Sequence, residues 1–251
     1  MSKVSVILST YCRNRPGLDC PNLLRRAIES VMTQTFKDFE LILIDDGSKD
    51  GSEQVCKEYA AKDARIKLYR YEVNSGLPAK RYNDGMSVAT TDFFMFMFDD
   101  DWWVSSAIET LYGAIAWTGK GYGMVYGLAD LVDVETKKRY ANFGASWSID
   151  EMRKHNILAN LSVIVTRNAI NMVGGYDEAP VFRRNCDWDL WLRIGTKFPV
   201  VRISSLIGVS FARNFDSIGV TIGLSKEDFT AIRSIQNDVN RRVRLQGEMG
   251  Q

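Results

Sequence analysis

Residues 93–103 read FFMFMFDDDWW, so six large apolar residues run directly into three aspartates and two tryptophans. A short apolar run that ends in charge is typical of a strand buried on both faces of a parallel sheet. Adjacent carboxylates repel one another and raise one another's pKa, so they need either solvent or a cation nearby. The stretch therefore predicts a buried strand that ends in an exposed acidic turn or in a metal site.

The first half of the chain repeats this pattern of apolar runs between helical segments. Strands are predicted over 4–9, 39–44, 66–71 and 93–98, and helices over 22–35, 52–63, 79–90 and 103–117. Alternating strands and helices predict an α/β protein with a mostly parallel sheet and helices on both faces. Polar clusters follow three of these strands, at 10–13, 45–48 and 99–101. Ligands of such sheets bind outside the carboxyl ends of the strands, so the clusters predict a site there.

The second half is less regular. Strands are predicted over 122–128 and 161–166, a turn over 174–178, a helix over 188–195, and one or two strands over 200–211. Residues 226–245 carry apolar side chains at helical spacing and predict a terminal amphipathic helix. Its apolar stripe would either cover the core of the same chain or pair two subunits. No repeat or linker interrupts the sequence, which favours a single domain over 1–251.

The bulk composition excludes several classes of protein. The 251 residues are 45% hydrophobic and 25% charged, with a net charge of +1, which is ordinary globular composition without a strong field for nucleic acid. No apolar run approaches the roughly 18 residues of a membrane span. The first apolar run is short and predicts a strand rather than a secretory signal. Four scattered cysteines and a single histidine argue against zinc and favour reduced thiols in a cytoplasmic protein.

Five motifs, in their order and spacing, resemble the GT-A glycosyltransferases, specifically the inverting family 2 group. The resemblance covers about residues 3–215. The motifs are VSVILSTYCRNR, FELILIDDGSKDGS, NSGLPAKRYNDG, FDDDWW and GGYDEAPVFRRNCDWDLWLRI. The resemblance implies a GT-A (nucleotide-diphospho-sugar transferase) fold with a C-terminal helix. Within one catalytic domain it implies a nucleotide-binding half over 1–101, an acceptor and catalytic half over 102–215, and a helix over 225–245.

The resemblance also implies which residues bind the donor. Thr10, Tyr11 and Arg13 match the first-strand loop that lies under the nucleotide. Asp46, with Asp45 beside it, matches the acidic residue that contacts the uracil or the ribose. Before the resemblance is considered, the 45–48 segment is equally well read as a solvated turn capped by an aspartate.

Two basic positions are assigned to the diphosphate end of the donor. Arg81 matches an arginine near the diphosphate, although Tyr82 separates it from Asn83 where the family commonly has arginine directly before asparagine. Arg213 lies in a late loop, FARNFDSIGVT, that could close over the donor. Arg183 and Arg184 are weaker candidates for an anionic group, and a solvated loop explains them equally well.

The acidic triplet matches the metal motif with one departure, since the first acidic position of the family falls on Phe98. Asp99 and Asp101 still form a D-x-D pair. Asp101 is the predicted metal ligand and Asp99 the second, while Asp100 is assigned to the donor sugar. The implied cofactor is Mn²⁺ or Mg²⁺, which prefers carboxylate and phosphate oxygens.

Asp187 matches the general base of the family, and it could also cap the helix that follows. The apolar side chains of the same helix are expected to pack in the core: Trp188, Leu190, Trp191 and Ile194. Asp189 is expected to make a structural ion pair or hydrogen bond. His155 either lies near the acceptor or is simply exposed, and the sequence favours exposure. Trp102 and Trp103 either stack on a sugar ring or lie buried under loops.

The implied reaction is inverting, metal-dependent transfer of a sugar from a nucleoside diphosphate, with UDP as the family's expected carrier, to an acceptor hydroxyl. The acceptor is left open among glycans, lipid-linked carriers and modified nucleobases. The basic residues of the terminal helix leave open a peripheral contact with a membrane that carries the acceptor, or a contact with a polyanionic acceptor such as nucleic acid. Two alternatives stay open. A sugar-1-phosphate nucleotidyltransferase is disfavoured by the lack of a lysine in the first loop, and a non-catalytic binding module by the retained aspartates.

Overall fold

The computed structural model describes residues 3–11, 19–119, 121–133, 136, 138–212, 230, 232 and 234. Its strands are β1 Val4–Thr10, β2 Phe39–Asp45, β3 Ile66–Arg70, β4 Phe93–Phe98, β5 Trp102–Trp103, β6 Met124–Asp133, β7 Arg139–Phe143, β8 Val163–Thr166 and β9 Val200–Ala212. Its helices are α1 Cys20–Met32, α2 Ser52–Lys62, α3 Pro78–Val88, α4 Ala107–Thr118, α5 Ile149–Met152, α6 Arg167–Val173 and α7 Cys186–Gly195.

The described strands form one sheet in the order β3-β2-β1-β4-β8-β6-β9-β5, with β7 paired to β6. Strands β1 to β4 are parallel, as their uninterrupted apolar runs predicted. Strand β8 enters antiparallel beside β4, and the second half of the chain extends the sheet from there. The parallel half therefore directs the carboxyl ends of β1, β2 and β4 to one edge, where the predicted site lies.

Helices cover both faces of the sheet, and two apolar clusters fill the spaces between. On one face α1 buries Leu24, Ala27, Ile28 and Val31, and its N-terminus is capped by Asp19, whose carboxylate accepts from the main-chain nitrogen of Asn22 at 3.2 Å. On the other face α7 packs on β4, where the rings of Phe96 and Trp191 lie 6.0 Å apart. Burying α7 against β4 brings the second half of the chain to the strand that precedes the acidic triplet.

Most predicted elements are confirmed, with differences at their ends, but one helix begins later than predicted and several short elements were not predicted. The helix predicted over 103–117 begins only at Ala107, because Trp102 and Trp103 form a short strand that pairs with Val209 and Gly208. The 200–211 segment is a single strand, which is one of the two predicted alternatives. Strand β7 and helices α5 and α6 carry no clear periodicity in the sequence and were not predicted.

The terminal helix predicted over 226–245 falls almost wholly outside the described residues. Of its apolar stripe, only Ile232 is described, and it is 1% exposed in the core cluster that also holds Trp191. This burial agrees with a stripe that covers the chain's own core. Pairing of two subunits through this helix stays a prediction. Among the described residues, no helix combines the length and apolar character needed to cross a membrane.

Candidate active site

The carboxyl ends of β1, β2 and β4 meet as the sequence predicted. Thr10 lies opposite Asp45 in the register of β1 and β2, and the main-chain nitrogen of Asp46 donates to the carbonyl of Thr10 at 2.9 Å. The Thr10 hydroxyl donates to Asp99 Oδ2 at 2.6 Å, and the main-chain nitrogen of Tyr11 approaches the same oxygen at 3.2 Å. Three segments distant in sequence thus share one hydrogen-bonded edge, beside which the Tyr11 side chain is exposed.

Asp45 is enclosed by protein. Its carboxylate has no exposed surface, and it accepts from the main-chain nitrogen of Ser48 at 2.9 Å and from Arg70 Nε at 3.1 Å. The aspartate does cap the turn, as one reading of the sequence predicted, but the turn is buried rather than solvated. Donor binding by Asp45 stays a prediction, and in this structure its carboxylate organises the loop instead.

Asp46 and Arg81, both predicted to bind the donor, form a buried ion pair with each other. Asp46 also accepts from the side chain of Asn74 at 2.8 Å, from the hydroxyl of Ser75 at 2.8 Å and from the main-chain nitrogen of Ser75 at 3.0 Å. Arg81 packs over the ring of Tyr71, with its Cζ 3.4 Å from the ring centroid. Because a carboxylate accepts about four hydrogen bonds, direct contact of Asp46 with a nucleotide would require one of these donors to move.

Gly47 explains how the Asn74–Ser75 segment reaches Asp46. The glycine has φ +83°, a conformation that other residues rarely adopt, and a Cβ at this position would lie 2.9 Å from the main-chain nitrogen of Asn74. The missing side chain therefore permits both the turn after β2 and the close approach of the second segment.

The acidic triplet divides into three different environments. Asp99 ties the turn to the loop after β1, as described above, and Asp100 is half-buried with its carbonyl bonded to Arg26 Nη2 at 2.7 Å. Asp101 is 2% exposed, and its carboxyl accepts from the side chain of Ser210 on β9. Burial first, and then the charge of Asp100, raise the pKa of the Asp101 carboxyl well above its usual range.

These environments bear on the predicted cation. Among the described residues, no group of three or more His, Cys, Asp or Glu side chains could hold a metal ion. A cation held by one or two carboxylates and completed by diphosphate oxygens does fit, because Mg²⁺ is commonly bound in this way. A cation beside Asp101 would offset the cost of ionising this buried carboxyl, which makes Asp101 the better-fitting ligand. Asp99 as the second ligand stays a prediction, since its Oδ2 already accepts two hydrogen bonds from the chain.

Asp187 lies in the first turn of α7, but it does not cap the helix. The helix begins at Cys186, and Asn185 occupies the capping position. The carboxylate of Asp187 accepts from the side chain of Asn156 at 3.0 Å. Burial raises the pKa of Asp187 to about 6, and hydrogen bonds from the Trp188 main chain and from Asn156 oppose the rise. A carboxylate with a pKa near neutrality is suited to accept a proton.

Tyr82 connects this aspartate with the acidic triplet. Its ring is fully buried, stacks on Tyr176 at 5.1 Å and donates its hydroxyl to the carbonyl of Met97 at 3.2 Å. Burial raises the pKa of the Tyr82 hydroxyl well above its usual range, and the charges of Asp101 and Asp187 both add to the rise. Both carboxylates therefore lie within electrostatic reach of one side chain, although 86 positions separate them in sequence.

The structure describes some of the remaining predicted residues and not others. Arg13 and Arg213 lie outside the described residues, so their assignment to the donor stays a prediction. Arg183, Arg184 and His155 are exposed. The structural ion pair of Asp189 is confirmed with Arg193 at 2.9 Å. Trp103 takes the buried alternative, 3% exposed with its indole nitrogen donating to the carbonyl of Leu161 at 2.7 Å.

The structure also places residues at the site that the sequence did not single out: Asn74 and Ser75 at Asp46, Asn156 at Asp187, and Ser210 and Arg26 at the triplet. Asn74 and Ser75 lie in one of the quoted motifs, NSGLPAKRYNDG, and that motif was the available signal. The others have no local pattern, because their positions depend on contacts between distant segments.

The family model for glycosyl transferase family 2 matches residues 5–178, which is more than half of the chain. The chain is 31% identical over 164 residues to the GalNAc(5)-diNAcBac-PP-undecaprenol beta-1,3-glucosyltransferase of Campylobacter jejuni, a match that covers 64% of this chain and 50% of that protein. The chain spans 15%, 50% and 66% of the lengths of three curated relatives that it matches.

Solved structures with the same fold include S. aureus TarS 1-349 in complex with UDP-GlcNAc, with a TM-score of 0.66 at 18% identity over 98% of this chain and 71% of that one. The mannosyltransferase PcManGT from Pyrobaculum calidifontis, in complex with GDP-Man and Mn2+, gives 0.59 at 16% identity over 93% and 61%. The fold is therefore the GT-A fold. The chain belongs to glycosyl transferase family 2.

Proposed function

We propose that this chain transfers a sugar from a nucleoside diphosphate to an acceptor hydroxyl, with inversion at the anomeric carbon and with Asp187 as the general base. The observation that carries the proposal is that Asp101, which follows β4, and Asp187, in the first turn of α7, both lie within electrostatic reach of the buried Tyr82 hydroxyl. We assign the carboxylate of Asp101 to the diphosphate end of a donor and that of Asp187 to the acceptor.

The proposed reaction needs no covalent intermediate. The acceptor oxygen attacks the anomeric carbon while its proton passes to the Asp187 carboxylate, and the bond from the anomeric carbon to the phosphate oxygen breaks with its electron pair staying on the diphosphate. The side chain of Asn156 donates a hydrogen bond to Asp187 Oδ2 and so fixes the orientation of the carboxylate, which leaves Oδ1 to accept the proton. Attack on the face opposite to the leaving group inverts the anomeric centre.

A divalent cation, Mn²⁺ or Mg²⁺, would be held by Asp101 together with the donor and would neutralise charge on the leaving diphosphate. The structure of PcManGT with GDP-Man and Mn2+ supports metal use in this fold. At the nucleoside end, the exposed ring of Tyr11 is available to stack on a base, which aromatic side chains commonly do.

We infer a UDP-linked donor from the UDP-GlcNAc complex of TarS. Because PcManGT binds GDP-Man, GDP-linked sugars are included in the donor screen below. The Campylobacter relative, by its name, acts on a glycan that is joined through a diphosphate to undecaprenol, so we propose a lipid-linked glycan as the first acceptor to examine. A cytoplasmic location, with peripheral contact at a membrane, belongs to the same proposal, as does a single catalytic domain over 1–251.

A donor screen by thermal shift tests this proposal. Nucleotide sugars carrying uridine, guanosine, cytidine and thymidine are titrated with and without Mn²⁺, and binding to the native state raises the melting temperature. We expect UDP-sugars to raise the melting temperature most, and only slightly when Mn²⁺ is replaced by EDTA. A response to nucleoside triphosphates and none to any nucleotide sugar would contradict the proposal and favour a nucleotidyltransferase.

The rate of transfer should depend on pH through Asp187. The ionised carboxylate is the active form, so kcat should fall as the pH drops through about 6, the raised pKa of this group. Asn156→Ala removes a hydrogen bond to the ionised form, which raises the pKa and should move the midpoint of the acid limb up by about one pH unit. His155→Ala, at the exposed neighbouring position, is the control and should keep the parent profile. Superimposable profiles for parent and Asn156→Ala would contradict the expected role of Asn156.

A further inference from the structure

Arg26 lies on α1 at the border of the acidic triplet. Its Nη2 donates to the main-chain carbonyl of Asp100 at 2.7 Å. That carbonyl belongs to the peptide group that joins Asp100 to Asp101. The orientation of this peptide sets the direction in which the Asp101 side chain leaves the main chain, so the hydrogen bond acts on Asp101 without touching its carboxylate.

The two flanks of the acidic turn are held by other contacts. Before it, Asp99 Oδ2 accepts from the Thr10 hydroxyl at 2.6 Å. After it, the main-chain nitrogen of Trp103 donates to the Ser30 hydroxyl on α1 at 3.1 Å. Arg26 holds the middle of the turn, between these two attachments.

The guanidinium of Arg26 is itself held by two aromatic rings. Its Cζ lies 4.3 Å from the ring centroid of Trp102 and 3.9 Å from that of Phe211, and the two rings lie 4.3 Å from each other. Its Nε is buried and has no hydrogen-bond partner among the described residues. Burial lowers the pKa of Arg26 to about 10, so the side chain keeps its charge at neutral pH. The two rings therefore hold the charged, poorly solvated guanidinium of Arg26 in one orientation.

Strand β9 connects this cluster to Asp101 by a second route. Ser210 hydrogen-bonds to the Asp101 carboxyl, and the next residue, Phe211, packs on Arg26. Two contacts from different elements, α1 and β9, therefore converge on the peptide and the carboxyl of the same aspartate.

We propose that Arg26 is a positioning residue that, with Trp102 and Phe211, holds the Asp100–Asp101 peptide so that the Asp101 carboxylate faces a divalent cation and a diphosphate. The inference rests on the proposed function, because it takes Asp101 as the metal ligand. A contact that orients a ligand in this way commonly contributes ten- to a hundredfold in metal affinity. A charge effect alone would act in the opposite direction, since a nearby guanidinium repels the cation.

The test compares the full chain with Arg26→Ala, Arg26→Lys and the control Arg25→Ala. Arg25 is the neighbouring residue on α1, and its Nη1 pairs with Glu58 at 2.8 Å, away from the triplet. Binding of Mn²⁺ in the presence of UDP is measured by electron paramagnetic resonance, and binding of UDP in EDTA by calorimetry. We expect about tenfold weaker Mn²⁺ binding in both Arg26 variants, with UDP binding in EDTA unchanged, and parent behaviour in Arg25→Ala.

Lysine keeps the charge but not the planar contact with the two rings, so it separates orientation from charge. Full recovery of Mn²⁺ binding in Arg26→Lys, or parent-like or tighter binding in Arg26→Ala, would overturn the proposal. If Arg26→Ala lowers the melting temperature and all binding together, Phe211→Leu replaces it. A selective loss of Mn²⁺ affinity in Phe211→Leu supports the proposal, and no selective loss overturns it. A parent chain that binds no Mn²⁺ refutes the proposed metal site itself.

Discussion

Replacement of Asp187 by asparagine is expected to reduce sugar transfer about a thousandfold while the donor still binds. Asparagine has nearly the same shape, so the contact with Asn156 and the packing of α7 can persist. What is lost is the ability to accept the acceptor's proton during attack, and a positioned general base contributes roughly 10² to 10⁴ in rate. Because the carboxylate is assigned to the acceptor, the affinity for the donor should change little.

Transfer is measured with the donor identified by thermal shift, and donor affinity by calorimetry. Asp150→Asn makes the same chemical change at an exposed side chain of α5, which pairs with Arg153, and it should match the parent in both measurements. Transfer by Asp187→Asn at the parent rate would refute the base. A loss of donor binding as large as the loss of transfer would instead place Asp187 at the donor.

The second large effect is expected from Asp101→Asn. The variant should lose most of the additional donor affinity that Mn²⁺ provides, because the cation loses its one well-fitting carboxylate. The stability of the fold should not decrease. The raised pKa of Asp101 means that, at neutral pH, ionising this buried carboxyl opposes folding, and asparagine removes that cost. We therefore expect the metal-free melting temperature of Asp101→Asn to equal or exceed that of the parent.

Calorimetry of UDP binding with Mn²⁺ and with EDTA checks the first part, and thermal unfolding in EDTA checks the second. Asp100→Asn is the matched variant, since Asp100 is half-buried and its described hydrogen bond to Arg26 is made by the main chain. It should keep most of the metal effect. If Mn²⁺ increased the affinity for UDP equally in the parent and in Asp101→Asn, the triplet would be a structural turn and not a metal site.

Much of the fold could be predicted because the strands of its parallel half have recognisable local sequence patterns. The runs that became β1, β2 and β4 are apolar without alternation, as strands buried on both faces must be, and their ends were predicted to within one residue. The second half was harder. Trp102 and Trp103 look helical beside the apolar residues of α4, but pairing with β9 makes them a strand, and no local signal reports a partner about a hundred positions away.

The candidate site divides in the same way. Asp99 and Asp101 could be selected because they are acidic residues directly after a predicted strand, and Asp187 could be selected because its motif resembles that of the family. The pairing of Asp46 with Arg81 was not visible, although both had been assigned to the donor. The contact of Asn156 with Asp187 was not visible either, because no pattern in the sequence around Asn156 indicates it.

The sequence alone determined the α/β class, the parallel half of the sheet and the set of acidic residues available for chemistry, because these depend on periodicity and on residue type. Only the tertiary structure decided the environment of each acid. Burial beside Asp100 distinguishes Asp101 from Asp99, which is tied to Thr10, and packing of α7 on β4 brings Asp187 near the triplet. The physical reason is that desolvation and hydrogen bonding depend on neighbours in space, which a linear pattern does not specify.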